Sequence, residues 1–244
     1  MMRLRFGKHP PKIDYRTLRL KKYLLSCLAP PPDTYSSLDK VYANLGVNDP
    51  TVLFPMDGNS DLGDCTIAAL AHAITIYQGL IGTSEIMSQD DVVKLYMQLT
   101  GGVDSGLNEL DVLNYWQSNP VEGDEVIAYV SVDPKNHMHV QQALSMFGCL
   151  YIGFQCQVNC VQDFENGIPW TPGDLTNDGH AIVLCAYDQD GVTALTWGST
   201  QKGVWDWVDE CVDEIYALIV PETQTFDPGF DIDTLKKDLN LVAS

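Results

Sequence analysis

The chain has 244 residues, 45% of them hydrophobic, enough to bury one core, and no apolar run approaches the roughly 18 to 20 residues that a membrane span requires. Its net charge of −19 is unevenly placed. Eight of the fourteen Lys and Arg residues fall in positions 1 to 22 beside a single acid, Asp14, so this arm carries about +7 and the remainder about −26. A body that acidic repels phosphate backbones, which argues against nucleic acid as a partner outside the arm.

The first residues lack the apolar core and cleavage site of a secretory signal, so the expected location is cytoplasmic or virion-associated, with no signal peptide. Seven cysteines, at positions 27, 65, 149, 156, 160, 185 and 211, form an odd set without framework spacing and are expected as reduced thiols. Cys156 and Cys160 lie four apart, but no second Cys or His pair completes four ligands. They read as a core thiol and a loop thiol, and His137 and His139 as solvent-facing residues at a helix start. No metal and no cofactor are expected.

In chain order, residues 1 to 33 alternate basic and apolar positions and end at Ala29-Pro30-Pro31-Pro32-Asp33, a stiff connector that bounds the arm. Leu4, Phe6, Leu18, Leu20, Tyr23, Leu24 and Leu25 predict docking, on the chain's own acidic body or on a neighbouring subunit. Residues 34 to 244 read as one domain. From 34 to 55 the sequence is of mixed polarity with turn formers and a short apolar piece at 52 to 54. Ile67, Leu70, Ala71, Ile74 and Tyr77 recur at helical spacing from 65 to about 80, with Gly79 and Gly82 ending the helix. Ser88 with Asp90 and Asp91 caps a second helix that Gly101-Gly102 stops, and 107 to 117 forms a third.

Beyond this point the period changes. Residues 126 to 132 and 150 to 154 read as strands on either side of a helix over 140 to 147, and 159 to 178 as a loop. Strands are expected over 180 to 187 and 192 to 197 around a turn at Asp188-Gln189-Asp190-Gly191, then a short helix over 204 to 212, a closing strand over 215 to 220 and a final amphipathic helix over 232 to 241. Helices first and antiparallel strands second is an α+β arrangement.

Chemistry concentrates at 57 to 72, where turn formers give way at Cys65 to an apolar helix. A cysteine there sits among the unpaired N–H groups of a helix N-terminus, whose partial positive charge stabilises a thiolate. His180 follows Asn177-Asp178-Gly179 and opens an apolar strand, a placement from which a base can face the cysteine across a cleft. His72 lies on the same helix as Cys65 and reads as a packed residue. Trp197, Trp205 and Trp207 read as core and cleft packing.

The order of these motifs resembles the papain-like cysteine peptidases: Asn59 six residues before the cysteine, Gly63-Asp64-Cys65 opening the long helix, Gly179-His180-Ala181-Ile182 in a strand that Tyr187 closes, then Thr196-Trp197-Gly198. The Cys-to-His spacing is shorter than the roughly 130 to 150 residues of the papain and cathepsin branch. The sequence also resembles, over nearly its whole length, a group of papain-like proteins from bacteria and their phages. That likeness rests on Gly7-Lys8-His9-Pro10-Pro11, residues 62 to 69, residues 109 to 116, and Asp213-Glu214-Ile215-Tyr216-Ala217.

The resemblance implies a papain-like α+β fold, with an N-terminal helical half whose Cys-bearing helix packs on a C-terminal antiparallel sheet or barrel. It implies a cysteine hydrolase of peptide bonds acting on a polypeptide or on the peptide portion of peptidoglycan. Cys65 would be the nucleophile, His180 its imidazolium partner, and Asn59 with the Cys65 N–H the oxyanion donors. Papain-type chains carry an orienting Asn two residues before the Trp-Gly pair; Leu195 stands there, leaving Thr196, or less well Asp178, to orient the imidazole. The alternative expectation is a non-catalytic virion or assembly protein that keeps the scaffold and docks a neighbour through its basic arm.

Overall fold

The computed structural model describes residues 4–47, 49–223 and 228–242. Its organising element is a helix that is hydrophobic on every side and is therefore buried on every side. The first elements are a two-residue strand β1 (Tyr35–Ser36), α1 (Ser37–Leu45), the short α2 (Pro50–Leu53) and this central helix α3 (Cys65–Ile81). From Cys65 to Gly79 every residue of α3 is buried, and Gly82, in the left-handed region at φ 84°, ends it. Next come α4 (Gln89–Leu99), capped by the Ser88 side chain on Asp91 N, and α5 (Glu109–Ser118), capped by Asn108 on Leu110 N.

The second half supplies β2 (Ala128–Ser131), α6 (His137–Phe147), β3 (Leu150–Gln157), α7 (Cys160–Glu165), β4 (Leu175–Tyr187), β5 (Gly191–Thr196), β6 (Ser199–Val204), α8 (Trp205–Cys211), β7 (Val212–Ile219) and α9 (Ile232–Val242). The strands form one open antiparallel sheet of order β2-β7-β3-β4-β5-β6, with β1 added to β4. The architecture is α+β, and the sheet is not a closed barrel. Period-two alternation divides its faces: on β4, Ala181, Val183 and Cys185 join the core around α3, whereas Ile182 and Leu184 join a second core beneath α6 and α8, to which a register shift after Leu184 also brings Tyr187.

Several elements differ from the sequence expectation. The stretch read as mixed and turn-rich contains α1, whose apolar residues Leu38, Val41, Tyr42 and Leu45 occupy a single stripe on an otherwise polar helix. Cys160 opens α7 with its side chain buried, so it is a core residue and not a loop thiol. Strand β4 begins at Leu175, five residues before His180, and its polar start extends the pairing with β3. Strand β6, Ser-Thr-Gln-Lys-Gly-Val, lacks apolar alternation because it is the sheet's edge.

The arm lies on its own body. Leu20 and Tyr23 are fully buried in the second core, and Ser131 N donates to Leu18 O at 2.8 Å, which covers the edge strand β2. Tyr23 Oη donates to Asp238 at 2.8 Å and Lys22 pairs with the same carboxylate at 2.6 Å, so the basic arm meets an acid of α9 directly.

Candidate active site

Cys65 is the first residue of α3, and α3 is held against β4, so the thiol meets the strand that carries His180. The backbone N–H groups of Ala181 and Gly7 both hydrogen-bond the sulfur. One belongs to the residue after His180, and the other belongs to the arm. Cys65 and His180 are each completely inaccessible to solvent.

Three aromatic rings and a hydroxyl fix the imidazole. Trp197 stacks on it with centroids 4.4 Å apart and planes 18° from parallel, and the edges of Phe6 and Phe154 close in at 5.8 and 5.7 Å. Nε2 lies 2.8 Å from Thr196 Oγ1, while Nδ1 is buried without a hydrogen-bond partner. Of the two residues that the sequence left open as partners of the imidazole, Thr196 is the one in hydrogen-bond contact with it, and Leu195 is buried in the core around α3. The stack depends on a two-residue hairpin turn: Thr196 pairs with Ser199, and Trp197 and Gly198 between them take φ values of 47° and 74°. Such a turn requires positive φ at both positions, which glycine adopts freely and tryptophan does not. The strained residue is the one that covers the histidine.

Asn59 is buried, and its side-chain amide donates to Asp64 Oδ1 through a short hydrogen bond. Burial raises the Asp64 carboxyl to about 7, with the neighbouring Asp57 adding to it and the Asn59 bond opposing it. His72, two turns along α3 from Cys65, is engaged elsewhere: its Nε2 lies 3.0 Å from Pro55 O and 3.2 Å from Asp57, and its ring packs edge-on against Phe54. Cys156 and Cys160 are buried free thiols, and no group of three or more His, Cys, Asp or Glu residues is placed to hold a metal among the described residues.

The sequence did not reveal the occupant of the cleft. Residues 5 to 10 thread it: Arg5 N donates to Asn59 O at 2.9 Å, Lys8 N to Gly179 O at 3.1 Å, Leu107 N to Gly7 O at 2.8 Å and His9 N to Leu107 O at 2.9 Å. Gly7 passes so close to the cysteine loop that a Cβ there would lie 1.8 Å from Gly63 O. Burial under this cover pushes the Cys65 thiol up to about 12 and the His180 imidazole down to about 3. The pair is neutral on both sides.

Lys8 anchors the segment in a pocket of acids. Its Nζ donates to Asp213 Oδ2 at 3.0 Å and to His9 O at 3.2 Å and lies 3.0 Å from Glu214 Oε1, with Glu109 behind them. Desolvation alone would lower the ammonium pKa, but the carboxylates of Glu109, Glu214 and Asp213 outweigh it and raise it. The one sequence signal for this anchor was a lysine in an arm motif that also carries Gly7.

No family model matches the chain, and no curated protein matches it. Among solved structures it is similar to xylellain, a cysteine protease from Xylella fastidiosa, with a TM-score of 0.64 and 15% identity over 88% of this chain and 96% of that one. It is also similar to procathepsin B S9 from Trypanosoma congolense (TM-score 0.60, 12% identity, 91% and 87% covered). A third is procathepsin L 3 of the Tenebrio molitor larval midgut (TM-score 0.57, 10% identity, 85% and 75% covered). At these identities the likeness is one of fold: the chain has the fold of the papain-like cysteine proteases.

Proposed function

We propose that the protein is a cysteine peptidase held latent by its own N-terminal arm. The observation that carries this reading is the His180 ring, fixed between Trp197 and Thr196 with Nδ1 unbonded, one residue from the Ala181 N–H that hydrogen-bonds the Cys65 sulfur. With the arm displaced, water raises the imidazole pKa and lowers that of the thiol, and the proton passes from Sγ to Nδ1. The thiolate attacks a peptide carbonyl carbon. The oxyanion that forms is met by the Cys65 backbone N–H at the start of α3 and by the Asn59 amide N–H that Asp64 does not hold. His180 then protonates the leaving amine, and water, deprotonated by the same ring, releases the acyl group from the sulfur.

The bacterial and phage resemblance of the arm and helix motifs supports a polypeptide or the peptide portion of peptidoglycan as substrate, met inside a cell or on a virion. Replacing Phe6 by Ala removes one ring that covers His180 and tests the reading directly. The Phe6→Ala protein is expected to hydrolyse peptides that the parent leaves intact, and Cys65→Ala or His180→Ala in that background to abolish the activity. Hydrolysis that survives Cys65→Ala overturns the assignment, as does an opened cleft that cleaves no peptide.

A further inference from the structure

The acids that hold Lys8 do more than one lysine needs, and we propose that they form the specificity pocket of the enzyme, built to take an arginine side chain, and second a lysine, from a peptide substrate. This rests on the peptidase reading and names its substrate class. Three carboxylates line the pocket, Glu109 at the start of α5 and Asp213 and Glu214 on β7, and its floor is Gly153 on β3. A Cβ at Gly153 would lie 1.8 Å from Lys8 Cε and 2.8 Å from Glu109 Oε1, so the missing side chain is what gives the pocket its depth. Tyr216 Oη donates to Glu214 Oε2 at 2.9 Å and fixes that wall.

Lysine leaves the site incompletely paired. Glu109 has no solvent exposure, yet neither of its carboxylate oxygens has a hydrogen-bond partner. A buried acceptor left unpaired is costly, and an ammonium with three donors has spent them on Asp213, His9 O and Glu214, leaving none for Glu109. A guanidinium reaches further and presents five donors in a planar fork suited to carboxylates. The pocket also stands where specificity is exerted. Lys8 N donates to Gly179 O, next to His180, and the preceding residue's N–H is on the sulfur. The arm thus fills the pocket with a basic side chain.

The pocket's preference is testable in the full chain without catalysis, by the rate at which a small alkylating reagent reaches Cys65, localised by mass spectrometry in a Cys27→Ser background. Lys8→Arg is expected to protect Cys65 at least as well as lysine, and Lys8→Met to expose it at least tenfold faster. In the Glu109→Gln, Glu214→Gln double variant the difference between lysine and methionine should shrink below threefold. A methionine that protects as well as lysine in the parent overturns the pocket. For substrates, the Phe6→Ala protein is given a peptide library. Arginine should be favoured at least tenfold over leucine at one position within two residues of the cleaved bond, with that preference lost in Glu109→Gln while cleavage of leucine peptides persists. Cleavage without basic selection overturns the proposal. Absence of any cleavage overturns the peptidase reading instead, and the alkylation order still decides the pocket.

Discussion

His180 shows how far its surroundings move a single group. Its imidazole, pushed down to about 3 by burial, stays neutral in the fold at any pH well above that value. Because this lies below the ordinary value near 6.5, the unfolded chain binds the extra proton, so the stability this group contributes is complete above about pH 6.5 and is lost as pH falls towards 3. Asp64 has the opposite sign. Raised from 3.8 to about 7, it favours the fold when protonated and costs stability as pH rises from about 4 to about 7. Asp64→Asn is therefore expected to narrow the difference in melting temperature between pH 5 and pH 8, while an unchanged difference would contradict the assigned burial. In NMR titrations the His180 ring should show no transition above pH 4 in the parent and should titrate nearer 6.5 in Phe6→Ala. Thr196 orients the ring by one hydrogen bond, a contact whose loss is worth about 1 kcal/mol. Thr196→Val in the Phe6→Ala background should thus lower kcat about fivefold with little change in KM, and Thr196→Ser should restore it.

Among elements, the turn between β5 and β6 and the floor of β3 decide what the cleft can hold. Gly153→Ala places a methyl group against Lys8 Cε, and the arm must yield. Gly7→Ala meets the Gly63 carbonyl from the other side. Both variants should raise the hydrogen exchange of the Gly7 and Leu107 amides at least tenfold without altering that of α3, and protection of those amides as in the parent would show that the arm is not seated by close approach. The sequence disclosed the elements that bury themselves by pattern: α3, read from its apolar spacing, and the central strands of the sheet, read from their apolar runs. It concealed α1, whose stripe is narrow, and β6, an edge strand held by pairing with β5. Cys65 and His180 stood out as candidates because a turn-to-helix junction and the onset of an apolar run are local features, although the strand that carries His180 begins earlier, at Leu175. The partner for His180 was legible only as a choice, since a hydroxyl at 196 and a carboxylate at 178 differ by where the strand points and not by composition. Lys8, Glu109 and Glu214 were not legible as a group, because they lie far apart in sequence and only folding brings their charges together.

Over the whole molecule, the division between a basic arm and an acidic body becomes a contact within one chain. Its exposed pairs, Lys12 with Asp111 and Lys22 with Asp238, are open to screening by salt. Lys8, only 5% exposed, is not, and breaking a buried charge pair costs about 3 to 5 kcal/mol by leaving charge uncompensated. Raising the salt to 1 M should consequently leave Cys65 protected, whereas Lys8→Met should expose it in any salt; exposure by salt alone would place the latch in the surface pairs. The same architecture makes the cleft both shut and preformed, with Thr196, Trp197 and His180 already in contact beneath the arm. The central claim, a competent cysteine–histidine pair covered by the arm, is tested most directly by the alkylation rate of Cys65 at pH 7 in the parent, in Phe6→Ala, and in Phe6→Ala with His180→Ala. The account predicts a rate at least a hundredfold higher in Phe6→Ala than in the parent, most of it lost with His180; a Cys65 equally reactive in the parent and in Phe6→Ala, or indifferent to His180, would contradict it.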